Sequence, residues 1–337
     1  MSKLIVIVGI TGKQGGSVAD VFLQDPTWRV RGLTRDPSRD TAKEWISKGV
    51  DMVAGDQDDL ESLKAAFAGA DVIYGVTDFA PPMYDAESHK VAAQQGISIN
   101  EFAHNLEVRR GKNLAIAAAS IPTLGRYVYS TLSDARKLSK GKYVHVYHFD
   151  SKATVAEYIK TAKEMEDLAR KTSFLQVGLY ADNWKSGFPE IQKNADHSFY
   201  HVGLGDGHTK LPFIWARKDV GVLVKGLVSA EGGKMLLGYS QNISWRQFME
   251  IWAETLNVPL ADNAHHQISE EALEDLLPAF PEGVLTQEFS ECFAYFEEFG
   301  YDGGDPNVIH PKDVDVAENL TPLKEYIKSE DWSKILQ

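Results

Sequence analysis

A doubly wound α/β fold with a smaller mixed α/β lobe toward the C-terminus is predicted for this chain by three observations. From residue 4 to about residue 180, short β-branched runs alternate at even spacing with longer amphipathic stretches. The runs are apolar on both faces, as strands of a parallel sheet are when helices cover both sides through right-handed crossovers. A glycine-rich turn joins the first run to the first amphipathic stretch. Strands are expected at 4–8, 28–33, 50–54, 71–77, 126–130 and 174–179, and helices at 15–24, 38–48, 60–67, 101–119 and 154–171. The segment 78–100, with Pro81-Pro82 and Gly96, exceeds the usual connection length, and such segments are often functional. Beyond Tyr180 the alternation fades into Gly-, Pro- and aromatic-rich sequence with helical stretches at 245–256 and 270–277. These breaks divide the chain into 1–180 and 181–337, interleaved parts of one unit.

Bulk properties narrow the class. The 337 residues carry 35 Lys plus Arg against 48 Asp plus Glu, a net charge of −13. That balance argues against direct nucleic-acid binding, which rests on basic residues neutralising phosphates. Residues 261–337 hold 18 of the acids and 4 lysines, so the first part is near neutral and the C-terminal lobe is acidic, a surface suited to solubility or to a basic partner patch. A single cysteine, Cys292, excludes an internal disulfide and a multi-cysteine zinc site; among Phe289, Phe293, Tyr295 and Phe296 it reads as a buried small hydrophobe. Five of the seven tryptophans (Trp184, Trp215, Trp245, Trp252, Trp332) lie past residue 180 and point to an aromatic core. His265-His266 reads as a surface pair, and Gly203 to Gly207 as a loop. The apolar run 4–10 is too short to span a bilayer and lacks the flanks of a signal peptide. The expectation is a cytoplasmic or nuclear protein, bound to no membrane and without a metal, in a reducing compartment.

The glycine-rich turn carries the first chemistry. Gly9, Gly12 and Gly15 have G-x-x-G-x-x-G spacing between a strand and a helix. This is a Rossmann-type pattern, in which bare backbone approaches a pyrophosphate and amides at the helix N-terminus meet its charge. At the end of the second strand, where NAD-binding proteins often carry an acid, stands Arg35. Its planar, permanently charged fork suits a 2′-phosphate and favours NADP(H), with Arg39 and Lys43 near enough to share that contact; the alternative is a surface pair with Asp36. Asp56 and Gln57 end the third strand and are expected near adenine; Thr77, Asp78 and Phe79 follow the fourth and would border the nicotinamide ribose.

Taken together with His148-Phe149-Asp150-Ser151-Lys152, these motifs resemble the NmrA-like atypical short-chain dehydrogenases, including HSCARG-type NADPH sensors and fungal NmrA-like oxidoreductases. The resemblance runs from residue 3 to about residue 330. It implies an NADP(H)-binding Rossmann domain with a smaller C-terminal lobe, a protein that either reduces a small molecule or senses cofactor state on behalf of a regulated partner, and an ability to form a homodimer. By position it implies Gly9, Thr11, Gly12, Lys13, Gln14 and Gly15 on the pyrophosphate loop and Arg35 on the 2′-phosphate. It also implies Arg109 in a cofactor-contacting basic patch, Lys152 by the nicotinamide ribose, and Tyr180 and Asn183 beside the nicotinamide.

Active short-chain dehydrogenases use a Tyr-x-x-x-Lys pair in which the lysine lowers the phenol's pKa. Here the residue four before Lys152 is His148, and Tyr147 is turned away by about 100° on a helix. Three readings stay open. Lys152 acts as the acid/base, His148 replaces the tyrosine, or Lys152 only holds the ribose and the protein reports cofactor state. Ser130, ending the fifth strand, and nearby Ser133 stand where a carbonyl-orienting serine is expected. The leading expectation is an NADP(H)-dependent oxidoreductase acting on a carbonyl or conjugated double bond of a small apolar or aromatic substrate.

Overall fold

The first strands form where the β-branched runs predict them, in a computed structural model that describes residues 2–186, 190–276, 283 and 285–337. The central sheet comprises β1 (Lys3–Val8), β2 (Trp28–Thr34), β3 (Asp51–Ala54), β4 (Val72–Gly75), β5 (Arg126–Thr131), β6 (Thr172–Val177), β7 (Met235–Gly238) and β8 (Val308–Ile309). All are parallel, in the order β8-β7-β6-β5-β4-β1-β2-β3. The order reverses at β1, which opens a crevice beyond the carboxyl ends of β1 and β4. Two strands of this sheet come from beyond residue 180. The framing helices are α1 (Lys13–Leu23), α2 (Asp40–Ser47), α3 (Leu60–Phe67), α4 (Ala86–Gln95), α5 (Ile99–Ala119), α6 (Tyr147–Thr161), α7 (Ala216–Ser229), α8 (Trp245–Leu256) and α9 (Thr286–Phe299).

Side chains alternate across each strand, so both faces are buried. Leu4, Val6 and Val8 pack with Leu63, Phe67, Leu114 and Ile159 of α3, α5 and α6. Ile5 and Ile7 pack on the other face with Val18, Phe22, Trp45, Val220 and Leu223 of α1, α2 and α7. A third core fills the C-terminal lobe, where Phe213, Trp245, Phe248, Trp252, Tyr295 and Trp332 are buried together, as the tryptophan clustering predicts. Around it stand two small mixed sheets, one from Leu179–Tyr180, Leu211–Ile214 and Gln241–Ile243, the other from Glu190–Lys193, Phe199–Gly203 and Leu260–Gln267. Cys292 is buried there, and burial pushes its thiol well above the ordinary value. No described helix is long and apolar enough to cross a membrane.

Three expectations are corrected. The segment 78–100 is not a plain connection: Pro81–Tyr84 makes a 3-10 turn, Asp85 caps α4 by accepting from Ser88 N, and Gly96 ends α4 at φ +69°. The helix expected at 154–171 starts at Tyr147 and stops at Thr161, and a 3-10 turn at Lys163–Met165 and a short helix at Glu166–Lys171 follow. His265 is no surface residue. It is 3% exposed, its Nδ1 lies 2.7 Å from Nδ1 of the buried His201, and its Nε2 donates to Gly205 O at 2.8 Å; only His266 is exposed, against Tyr200.

Burial holds His201 well below the ordinary histidine value, and the neighbouring His265 adds to the effect. The unfolded chain therefore takes up a proton below about pH 6.5 that the folded chain refuses, and stability falls as pH drops through that value. Asp150 and Asp219, raised to about 6 by burial, act in the opposite sense between about pH 6 and 4. Urea midpoints measured at pH 7.5 and 5.5 should fall more in the native chain than in His201→Gln; equal falls would contradict this account.

Candidate functional site

The loop between β1 and α1 is shaped by its glycines. Gly9 adopts φ +66°, and a Cβ on Gly15 would lie 2.3 Å from the Gly9 carbonyl oxygen, so no side chain fits there. Gly12 is the N-cap of α1 and contributes no side-chain cap, which leaves the positive end of the helix open to an anion. Thr11, Gly12 and Lys13 are exposed along this cradle. Lys13 Nζ lies 2.8 Å from Asp182 and 5.5 Å from the Tyr180 ring centroid, which ties the loop to the start of the C-terminal part. Asn183 opens the 3-10 turn Asn183–Ser186 just beyond.

Gln14 turns inward from the same loop. Its Oε1 accepts from Ser130 Oγ at 2.8 Å and from the Tyr74 hydroxyl, and its Nε2 donates to Tyr180 Oη at 2.7 Å. Burial pushes Tyr180 up to about 12 and raises Tyr74 as well, so both phenols are neutral hydrogen-bonding groups here. Ser133 belongs to a different network, donating to Tyr301 O at 2.8 Å and accepting from Tyr295 Oη at 3.1 Å.

At the end of β2, Arg35 is exposed and has no ion pair among the described residues. Asp36 instead accepts from Ser38 and pairs with Arg39 at 3.7 Å, and Lys43 pairs with Asp40 at 2.9 Å. At the end of β3, Asp56 Oδ1 accepts from Asp58 N at 2.9 Å, and Gln57 Nε2 donates to Val76 O at 3.3 Å across the crevice rim. Arg109 and Arg110 both pair with Asp58, at 2.8 and 2.7 Å; burial would raise this carboxyl, but the two guanidiniums hold it below its ordinary value.

Beyond β4, Thr77 is buried, Asp78 is exposed and accepts from Ala80 N at 3.1 Å, and the Phe79 ring lies 6.1 Å from the His148 ring. Lys152 Nζ reaches over to donate to Thr77 O at 3.1 Å and forms an ion pair with Glu107 of α5. Glu107 is 1% exposed, and its second oxygen accepts from the Ser151 hydroxyl. His148, one helical turn before Lys152, has Nδ1 2.6 Å from Oε1 of Glu288. A cavity of about 660 Å³ lies against Glu288, with Asn100, His145 and Tyr147 among its other walls.

The structure thus joins Lys13, Gln14, Ser130 and Tyr180 at one end of the crevice, and Thr77, Phe79, His148 and Lys152 at the next. Arg35 stands apart at the tip of β2. Glu107, Tyr74 and Glu288 join the site without belonging to any of the sequence motifs. Glu107 does carry a local signal: positions 103, 107, 111, 114 and 118 form the buried face of α5, and an acid on an apolar stripe needs a buried partner. Nothing local marks Glu288, whose partners lie 140 and 188 positions away.

A family model described as "NmrA-like family" matches residues 1–333. An NmrA-like family domain-containing oxidoreductase of Aspergillus sp. (strain MF297-2) is 26% identical over 231 residues, covering 67% of this chain and 63% of the relative, so the match spans less than two thirds of that protein. The crystal structure of the negative transcriptional regulator NmrA in complex with NADP superposes with a TM-score of 0.72 at 19% identity, covering 99% of this chain and 97% of that one. Triphenylmethane reductase of Citrobacter sp. complexed with NADP(H) gives 0.67 at 17% identity, covering 97% and 99%. At these identities the superpositions establish the fold.

The Glu107–Lys152 pair makes a stability prediction. Lys152→Met leaves a buried carboxylate without its partner and should cost about 3–5 kcal/mol. Glu107→Leu combined with Lys152→Met should recover most of that loss in chemical denaturation; a double variant as unstable as Lys152→Met would contradict the pairing.

Proposed function

The chain belongs to the NmrA-like family, and from that premise we propose that it is an NADP(H)-dependent oxidoreductase that reduces a carbonyl or a conjugated double bond of a small apolar or aromatic substrate. The observation that carries the cofactor assignment is the uncapped N-terminus of α1 behind glycines that admit no side chain, a cradle of bare backbone at the point where the sheet order reverses. Arg35, exposed at the tip of β2 and without an ion pair among the described residues, would take the 2′-phosphate. Asp56 and Gln57 would flank the adenine, with Arg109 near by. Thr77, Asp78 and Phe79 would line the nicotinamide ribose, and Tyr180 and Asn183 would stand beside the nicotinamide. When bound, NADPH supplies a hydride.

The chain's own residues would do the rest. Lys152, fixed by Glu107 and Thr77 O, would hold the ribose hydroxyls in one place. Gln14 and Ser130 would fix the floor on which the nicotinamide rests. Phe79, against the His148 ring, would give the substrate an apolar wall. The Aspergillus relative is named an oxidoreductase and the Citrobacter neighbour a reductase, which supports this reading.

A second reading, a non-catalytic sensor that regulates a partner protein according to whether NADPH or NADP⁺ is bound, draws on a specific observation. Lys152 is locked by a buried carboxylate and has no tyrosine one turn before it, so the ribose can be held without any proton transfer. NADPH consumption at 340 nm against quinones, enals and aromatic ketones separates the two. Turnover supports the reductase; tight NADPH binding with no turnover supports the sensor.

The 2′-phosphate assignment has its own check. Arg35→Ala should weaken NADPH binding by about 1.5–3 kcal/mol, the loss of a charge-assisted contact, and leave NADH nearly unchanged in titration calorimetry. Equal weakening of both would remove Arg35 from the site.

A further inference from the structure

The reductase reading leaves the proton unassigned, and the surroundings of α6 supply an answer. His148 and Lys152 are four residues apart on α6 and so share one face, a turn of about 5.4 Å apart. Two of the three donors on the Lys152 ammonium go to Glu107 and Thr77 O, and the third is the one assigned above to the ribose. The two phenols nearest the nicotinamide end are held above their ordinary values by burial and hydrogen-bonded to Gln14. The imidazole is arranged differently. Glu288, 2% exposed on α9, accepts from both His148 N at 2.9 Å and His148 Nδ1 at 2.6 Å through Oε1, while its Oε2 accepts from Asn100 Nδ2 at 2.6 Å. The carboxylate is clamped between three donors on two other helices. It therefore fixes both the ring's orientation and its tautomer, with the proton on Nδ1. Nε2, on the opposite edge, has no hydrogen-bond partner among the described residues, and the ring is a quarter exposed beside Phe79.

We propose, resting on the reductase reading above, that His148 is the proton donor of the reduction and that Glu288 is the residue that positions it. As hydride from NADPH adds to the substrate's carbonyl carbon, the π electrons move to oxygen and the Nε2 proton of the His148 imidazolium passes to that oxygen. Alcohol, NADP⁺ and neutral imidazole result, and solvent returns the proton. For a conjugated carbonyl the hydride adds at the β-carbon and the same proton goes to the enolate oxygen, the enol then reverting to the ketone in water. Glu288 keeps Nδ1–H occupied throughout and stabilises the imidazolium, the part a buried carboxylate plays behind a catalytic histidine. His148 then stands where the tyrosine of a short-chain dehydrogenase stands, with its support coming from the C-terminal lobe.

The test compares the native chain with His148→Gln, His148→Phe and Glu288→Gln, using NADPH binding by fluorescence, NADPH consumption on the same carbonyl panel, and the histidine tautomer by long-range ¹H–¹⁵N correlation. His148→Gln and His148→Phe should lower kcat at least 100-fold while the NADPH Kd stays within twofold. Glu288→Gln should lower kcat roughly tenfold with little change in KM, and the ¹⁵N spectrum should show Nδ1–H in the native chain and a mixture of tautomers in Glu288→Gln. Should Glu288→Gln fail to fold, the two His148 variants and the native tautomer decide alone. Native turnover that survives His148→Gln within threefold, or Nε2–H as the native tautomer, overturns the proposal and leaves the reductase reading intact. A native chain that binds NADPH and consumes none overturns both.

Discussion

The buried pair between Glu107 and Lys152 is the contact on which the rest of the site depends. A carboxylate 1% exposed on a long helix is costly unless its charge is matched within hydrogen-bond reach, and Lys152 is the cation that matches it. Because Lys152 also donates to Thr77 O, that one requirement fixes α5, α6 and the chain leaving β4 relative to one another. Those are the elements that carry Thr77, Phe79 and His148, so the geometry of the crevice wall follows from solving a burial problem in the core. Ser151, on the second oxygen of Glu107, completes the solvation of the carboxylate and closes the network.

A second clamp acts at the start of the same helix. Helix α6 begins without a side-chain cap of its own at Val146. Carboxylates from α9 serve instead: Glu288 accepts from His148 N, and Glu291, three residues on and hence on the same face, accepts from Val144 N and His145 N at 2.7 and 2.8 Å. Each also takes the Nδ1 of the histidine whose amide it holds. The C-terminal lobe is therefore built into the site through the orientation of α6. Its acidity, read in the sequence as a surface property, turns inward at these two positions.

Much of the fold is written locally. The strands of the first 180 residues need only apolar runs of the right length, and the turn after β1 needs glycine wherever a Cβ would strike Gly9 O. Right-handed crossovers account for helices on both faces of the sheet, but they do not by themselves choose the order of β1 to β6. β7 and β8 were not legible: four and two residues long, they carry too little pattern, and their place is set by packing against β6. The same limit governs the site. Gly9, Gly12 and Gly15 follow from spacing, and Lys152 with His148 stands out through its departure from a known pair. Glu288, Asn100 and the buried His201–His265 contact join residues 64 to 188 positions apart and leave no periodic trace. Arg109, placed by the family resemblance in a cofactor-contacting patch, pairs with Asp58 across 51 positions, a contact that leaves no local trace either.

The most direct measurement of the central claim is a crystal structure of the chain with NADP⁺ bound. The account predicts the pyrophosphate over the N-terminus of α1 and Lys152 Nζ within hydrogen-bond distance of the nicotinamide ribose while still paired with Glu107. A dinucleotide bound elsewhere, or a Lys152 that leaves Glu107 to reach the cofactor, would contradict it.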